Sequence, residues 1–167
     1  MLRAARAEDW ERLRHVRLAA LRDAPDAFAS TLEATEGQPQ WRWEGWATGD
    51  GWGADLVTFV EEPDGTPIAF TGMATGAIFH DDPTTANLFA MWVAPATRGE
   101  GVGRALVDAV VAWARGRGAD QVILRISDGN AGARRLYEAA GFVLDENDRE
   151  PLREGSPVVT LGMRRPS

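Results

Sequence analysis

Three glycines alternate across five residues in the run Arg98-Gly99-Glu100-Gly101-Val102-Gly103-Arg104, which has an arginine at each end. An apolar run ends just before it at Val93, and Pro95 keeps that run from continuing as a strand. An amphipathic stretch begins within the glycines. Glycines at such a junction leave backbone N–H groups uncovered by side chains. A helix start adds unpaired donors and the positive end of the helix dipole. The chemistry this suits is the holding of phosphate, and of pyrophosphate above all. Arg98 and Arg104 are placed to add charge-assisted hydrogen bonds. A turn that only reverses the chain needs one or two glycines, not three between two arginines.

Two familiar phosphate loops are excluded by residue type. A nucleotide phosphate loop needs a lysine and then a Ser or Thr after its last glycine. Arg104 follows Gly103, and all 18 basic residues of the chain are arginine. The dinucleotide fingerprint needs a glycine where Arg104 stands. The absence of lysine also removes Schiff-base chemistry, and the absence of cysteine removes thiol catalysis and disulfides. With two histidines, His15 and His80, no metal site built on several histidines is available.

The elements that must position this loop follow from periodicity. Leu2 to Arg6 fits a short edge strand and Glu8 to Arg22 a helix, with Trp10, Leu13, Val16, Ala20 and Leu21 on one face. Residues 25 to 53 hold four tryptophans and predict one or two short helices, broken near Gly37 to Pro39 and again at Gly49 to Gly53. Leu56 to Glu61, Pro67 to Phe79 and Ala86 to Val93 then read as an antiparallel meander. Pro63-Asp64-Gly65 forms its first turn, and Gly72 and Gly76 loosen the middle strand. Gly101 to Arg117 predicts a helix closed by Gly118, and Gln121 to Ile126 a buried strand. Ala131 to Ala140 predicts a helix between caps at Asn130 and Gly141. Phe142 to Leu144 and Val158 to Met163 complete a mixed α/β domain spanning residues 1–167.

Composition narrows the function classes. The chain is 44% hydrophobic and 26% charged over 167 residues, a globular balance. Its net charge of −7 disfavours binding to nucleic acid. No apolar run approaches the roughly 20 residues that cross a bilayer, and Met1 to Trp10 lacks an apolar signal core. The expectation is a cytoplasmic protein that uses neither metal, membrane nor nucleic acid.

Arg98-x-x-Gly101-x-Gly103, preceded by Val93-x-Pro95, resembles the acetyl-CoA pyrophosphate loop of the GNAT N-acetyltransferase superfamily. Asn130-x-x-Ala133-x-x-Leu136-Tyr137-x-x-x-Gly141-Phe142 resembles the second conserved block of the same family, and the order of elements agrees over nearly the whole chain. The resemblance implies a central, mostly antiparallel mixed sheet with one splayed strand pair, flanked by helices. It implies acetyl-CoA as co-substrate, with no metal. The backbone of Met91, Trp92 and Val93 then pairs with the pantetheine arm, and the loop Arg98, Gly99, Glu100, Gly101, Val102, Gly103 and Arg104 holds the pyrophosphate. Asn130 and Ala133 lie beside the pantetheine, and Asn130 also suits an N-cap. Tyr137, the only tyrosine, sits near the thioester sulfur and can protonate the departing thiolate.

Many relatives carry a glutamate on the strand before the loop. Here that strand reads Asn87-Leu-Phe-Ala-Met-Trp-Val93, without a carboxylate. Glu33, Glu36, His80, Asp81, Asp82 and Asp128 are the candidate proton acceptors, none singled out by spacing, and His80 is most simply a loop residue. Trp41, Trp43, Trp46 and Trp92 suit an acceptor wall, while packing on the sheet is the simpler role for Trp43 and Trp46. The leading expectation is acetyl transfer to a small primary amine by direct attack. The alternatives are a non-catalytic acyl-CoA sensor and acetylation of a protein N-terminus or lysine. Similar proteins are often dimers.

Overall fold

A computed structural model describes residues 1–50, 52–64 and 69–167. The elements run β1 (Leu2–Ala4), α1 (Trp10–Asp23), α2 (Leu32–Glu36), α3 (Gln40–Thr48), β2 (Ala54–Glu61), β3 (Gly72–Phe79), β4 (Thr85–Val93), α4 (Val102–Gly116), β5 (Gln121–Ser127), α5 (Ala131–Ala139), β6 (Val143–Pro151) and β7 (Val159–Pro166). The strands form one sheet in the order β1-β2-β3-β4-β5-β7-β6. Every neighbouring pair is antiparallel except β4 and β5, which run parallel. Among the described residues, no helix is long and apolar enough to cross a membrane.

Alternation along β3 sends neighbouring residues into two cores. Ala74 joins Leu106, Val107, Val110 and Val122 beneath α4. Met73 joins Leu13, Val16, Leu21, Trp43 and Trp46 beneath α1 and α3. The sheet is therefore covered on both faces, as the predicted architecture requires.

Of the one or two short helices expected between residues 25 and 53, the structure has two, α2 and α3, with the break at Gly37 to Pro39. The second break, at Gly49 to Gly53, includes Gly51, which lies outside the described residues. So do Gly65 of the expected turn and Pro67 and Ile68 of the expected strand; residues 69–71 are not strand, and β3 begins at Gly72.

Gly72 and Gly76 do not loosen β3. A Cβ on Gly76 would lie 2.9 Å from Val110 Cγ1 and 3.1 Å from the Trp113 ring, and one on Gly72 would meet Leu106 and Val102 at 3.0 and 3.1 Å. Both glycines let α4 lie close against the sheet. A second departure is β6. It extends to Pro151, well past the expected Leu144, because its pairing with β7 resumes at Arg149 after an irregularity that follows Asp145. Its polar residues Asp145 to Glu150 hide it from an apolar-pattern search.

Candidate active site

The sheet opens between β4 and β5. They pair only at Thr85–Gln121, Ala86–Val122 and Asn87–Ile123, then part. A bulge helps to turn β4 away. Between Phe89, opposite Thr75, and Trp92, opposite Met73, β4 carries an extra residue, and Ala90 adopts φ +52°. Beyond Asn87, the β4 edge facing β5 has no strand partner among the described residues.

One cleft, about 610 Å³, lies between the open end of β4, the glycine loop and the start of α5. Gly101 caps α4 at φ +85°, a conformation that suits glycine, and a Cβ there would enter open space. The first bond of α4 runs from the Ala105 N–H to the Gly101 carbonyl at 3.0 Å. The N–H groups of Val102, Gly103 and Arg104 precede it, so the helix leaves them unpaired. A Cβ on Gly103 would press on Met91 and Leu136 at 3.3 Å.

The structure brings most of the predicted residues to this cleft. Met91, Trp92, Val93, Arg98, Gly99, Gly101, Gly103, Arg104, Asn130, Ala133 and Tyr137 line it. Glu100 and Val102 do not; Val102 packs toward the core beneath α4. Both arginines already have protein partners. Arg104 holds Asp108 at 2.9 Å and donates to the Ala139 carbonyl at 2.8 Å. Arg98 donates to the Val93 carbonyl at 2.9 Å and pairs with Asp23. The Asn130 side chain accepts from the Ala133 N–H at 3.2 Å, so its capping role is present.

Asp23, at the end of α1, was not read as a site residue. It accepts from the Trp92 indole at 2.9 Å as well as from Arg98. The Trp92 bond and then Arg98 hold its carboxyl below the usual range, against partial desolvation. Its partners lie far along the chain, so no local spacing could have marked it.

A second cleft, about 820 Å³, opens on the other side of the splay. Met91, Ala27, Phe28 and Tyr137 line both clefts, so the two meet there. Tyr137 is buried, its ring edge-on to Phe142 at 5.8 Å. Burial pushes its phenol well above the ordinary value. The segment carrying Phe28 is tied across the gap, since Ser127 donates to the Asp26 carbonyl and Arg153 to the Phe28 carbonyl.

Of the candidate proton acceptors, only Asp82 lines the second cleft. A bond from Thr84 Oγ1 at 2.8 Å holds it, and its carboxyl is lowered by Thr84 and Thr85. Glu36 pairs with Arg22, Asp128 with Arg149, and His80 is an exposed neighbour of Asp55. Asp148 and Glu150 of β6 also line this cleft, and the underestimated length of β6 hid both. Trp43 and Trp46 stack on each other at 5.7 Å and are buried, as the packing role expects. Trp41 is exposed, and Trp52 is the tryptophan that lines the larger cleft.

A family model described as the acetyltransferase (GNAT) family matches residues 11–142. The chain is 36% identical over 125 residues to a mycothiol acetyltransferase of Thermobispora bispora, covering 74% of the chain and 39% of that protein. A second mycothiol acetyltransferase, of Stackebrandtia nassauensis, is 31% identical over 134 residues, covering 80% of the chain and 41% of that protein. The chain thus spans about two fifths of the length of these curated relatives. The fold matches yncA of Salmonella typhimurium, solved with acetyl-CoA, at a TM-score of 0.76 and 22% identity, over 99% of this chain and 92% of that one.

Proposed function

The chain belongs to the acetyltransferase (GNAT) family, and from that premise we propose that it moves an acetyl group from acetyl-CoA to the primary amine of a small molecule. The observation that carries this reading is the meeting of two clefts at Met91 and Tyr137, where β4 and β5 part. The smaller cleft fits acetyl-CoA, for it offers unpaired helix N–H groups, glycines whose Cβ positions are open and an unpaired strand edge. The larger takes the acceptor. A direct transfer needs both substrates held at once, and no cysteine is present to carry the acyl group.

Acetyl-CoA supplies the acetyl group already activated as a thioester. The N–H groups of Gly103 and Arg104 hold the pyrophosphate, and the free edge of Met91 to Val93 aligns the arm. Tyr137 donates its phenolic proton to the departing thiolate as the C–S bond breaks and the N–C bond forms. The substituted nitrogen releases its surplus proton to solvent, and Tyr137 recovers one from the same source. Its raised pKa keeps that proton in place at neutral pH. The amine must lose a proton before attack. Of the carboxylates lining the larger cleft, Asp82 is held by Thr84 and Asp148 by Arg125 at 2.8 Å. Glu150 has the longer contact, 3.7 Å to Arg125, and receives the proton through water.

The tied Phe28 segment narrows the acceptor cleft, which favours a small molecule over a protein terminus. The relatives' name, mycothiol acetyltransferase, supports the same class. The test is calorimetric titration with acetyl-CoA, then thiol release across an amine panel. Saturable binding with amine-dependent release is the expected result. Binding with no release from any amine turns the reading to a sensor, and no binding overturns it.

A further inference from the structure

Arg17 of α1 lines the larger cleft, and acetyl transfer as described gives it no work. It is 6% exposed. Its guanidinium carbon stands 4.6 Å from the centre of the Phe28 ring and 5.6 Å from that of Trp46. Its Nη1 has no hydrogen-bond partner among the described residues. Burial pushes the group down to about 10, which still leaves it cationic at neutral pH. Aromatic faces offset part of the lost hydration but do not supply a counter-ion.

The other guanidiniums lining this cleft are differently placed. Arg125 holds Asp148 at 2.8 Å, and Arg164 lies 3.6 Å from Asp145. Arg17 has no such acid among the described residues. The five N–H donors of a guanidinium lie in one plane and match the two oxygens of a carboxylate. Across the same cleft, β6 contributes Asp148 and Glu150. A ligand with an anion toward Arg17 and an ammonium toward those carboxylates suits both walls.

We propose that Arg17 is the recognition site for an anionic group of the acceptor, and that the acceptor is an amine that also carries a carboxylate. The proposal rests on the acetyl-transfer reading and adds a substrate class to it. Phe28, which packs on Arg17 and lines both clefts, places the anion site beside the point of transfer.

The test compares amino acids and dipeptides, as free acids and as C-terminal amides, in the wild type and in Arg17→Met and Arg17→Lys. A charge-assisted pair predicts a preference of about 10- to 100-fold in kcat/KM for at least one acid over its amide. Arg17→Met, which keeps much of the packing volume, should bring that ratio to about 1 and leave the acetyl-CoA Kd unchanged. Arg17→Lys keeps the charge, loses the planar fork and should recover part of the preference, which also covers the case of a poorly folded Met variant.

Amides used as well as acids, or a preference that survives Arg17→Met, overturn the proposal. So does failure to use any of the acids while other amines are acetylated, a result that leaves acetyl transfer standing. Failure to bind acetyl-CoA removes the underlying reading and this proposal with it.

Discussion

The two clefts that meet at Tyr137 are built from different material. The smaller includes main chain left uncovered by glycines: the Gly99–Gly103 loop, the first turn of α4 and the free edge of β4. The larger is walled by side chains from distant segments, with Arg17 and Phe28 on one side and Arg125 and Glu150 on the other. A main-chain site works only if side chains stay away, so it demands small residues at fixed spacing. A side-chain site makes no such demand on its neighbours. That contrast suits one substrate common to a whole family and another that differs from member to member.

The largest expected effect comes from putting a side chain into the main-chain cleft. Gly101→Asp forces a residue with a Cβ to φ +85° and sets a carboxylate beside N–H groups that face an anion. Strain costs about 1 kcal/mol and the charge more, so acetyl-CoA affinity should fall by roughly 100-fold. Calorimetry checks this, with the melting temperature as control. An affinity within threefold of wild type would mean that the loop is not the anion site.

Tyr137→Phe acts where the clefts meet. It should lower kcat by about 100-fold and leave the acetyl-CoA Kd within about twofold. Burial raises the phenol above its ordinary value of 10, so the acid form persists past that pH. The wild-type kcat profile should therefore show no alkaline fall owed to Tyr137 below pH 10. Equal turnover in the two proteins would detach Tyr137 from the chemistry.

The same contrast explains what the sequence made legible. The glycine loop and the Asn130 to Phe142 block are local patterns, each legible from residue types at fixed spacing within a short run. The acceptor side offers no such locality. Arg125 meets Asp148, and Arg153 the Phe28 carbonyl, only after folding. Arg17 did leave a signal. It stands four residues after Leu13 and four before Leu21, within the buried stripe of α1. A lone charge at helical spacing within an apolar face marks a buried charge that needs a partner. Glu150 was missed because β6, a polar edge strand, escaped the search for apolar alternation.

Asp23→Asn probes a side-chain clamp on the smaller cleft. It weakens the bond to Trp92 and removes the charge partner of Arg98. A partly exposed pair of this kind is worth about 1 kcal/mol, so acetyl-CoA affinity should fall about three- to tenfold. The folded-state pKa of Asp23 is depressed, so its contribution is present above the unfolded value near 3.8 and is lost as pH falls through the folded value. Denaturant unfolding across pH should show a constant gap between wild type and variant above about pH 5, closing below 3.8. A gap that persists at the acid end would mean that the carboxylate charge is not what the site uses.

The smallest effect separates a cap from a contact. Asn130 accepts from the Ala133 N–H and also lines the smaller cleft. Asn130→Ala removes the cap and should cost about 1 kcal/mol, or roughly 2 to 4 °C in Tm. Asn130→Ser preserves the cap without adding charge, since serine caps about as well as asparagine, but loses the amide donors. If acetyl-CoA affinity falls in Asn130→Ser while Tm holds, the amide group touches the ligand. The smaller cleft then owes part of its grip to a side chain. If both variants bind within twofold of wild type, Asn130 only starts α5, and this wall of the cleft is main chain alone.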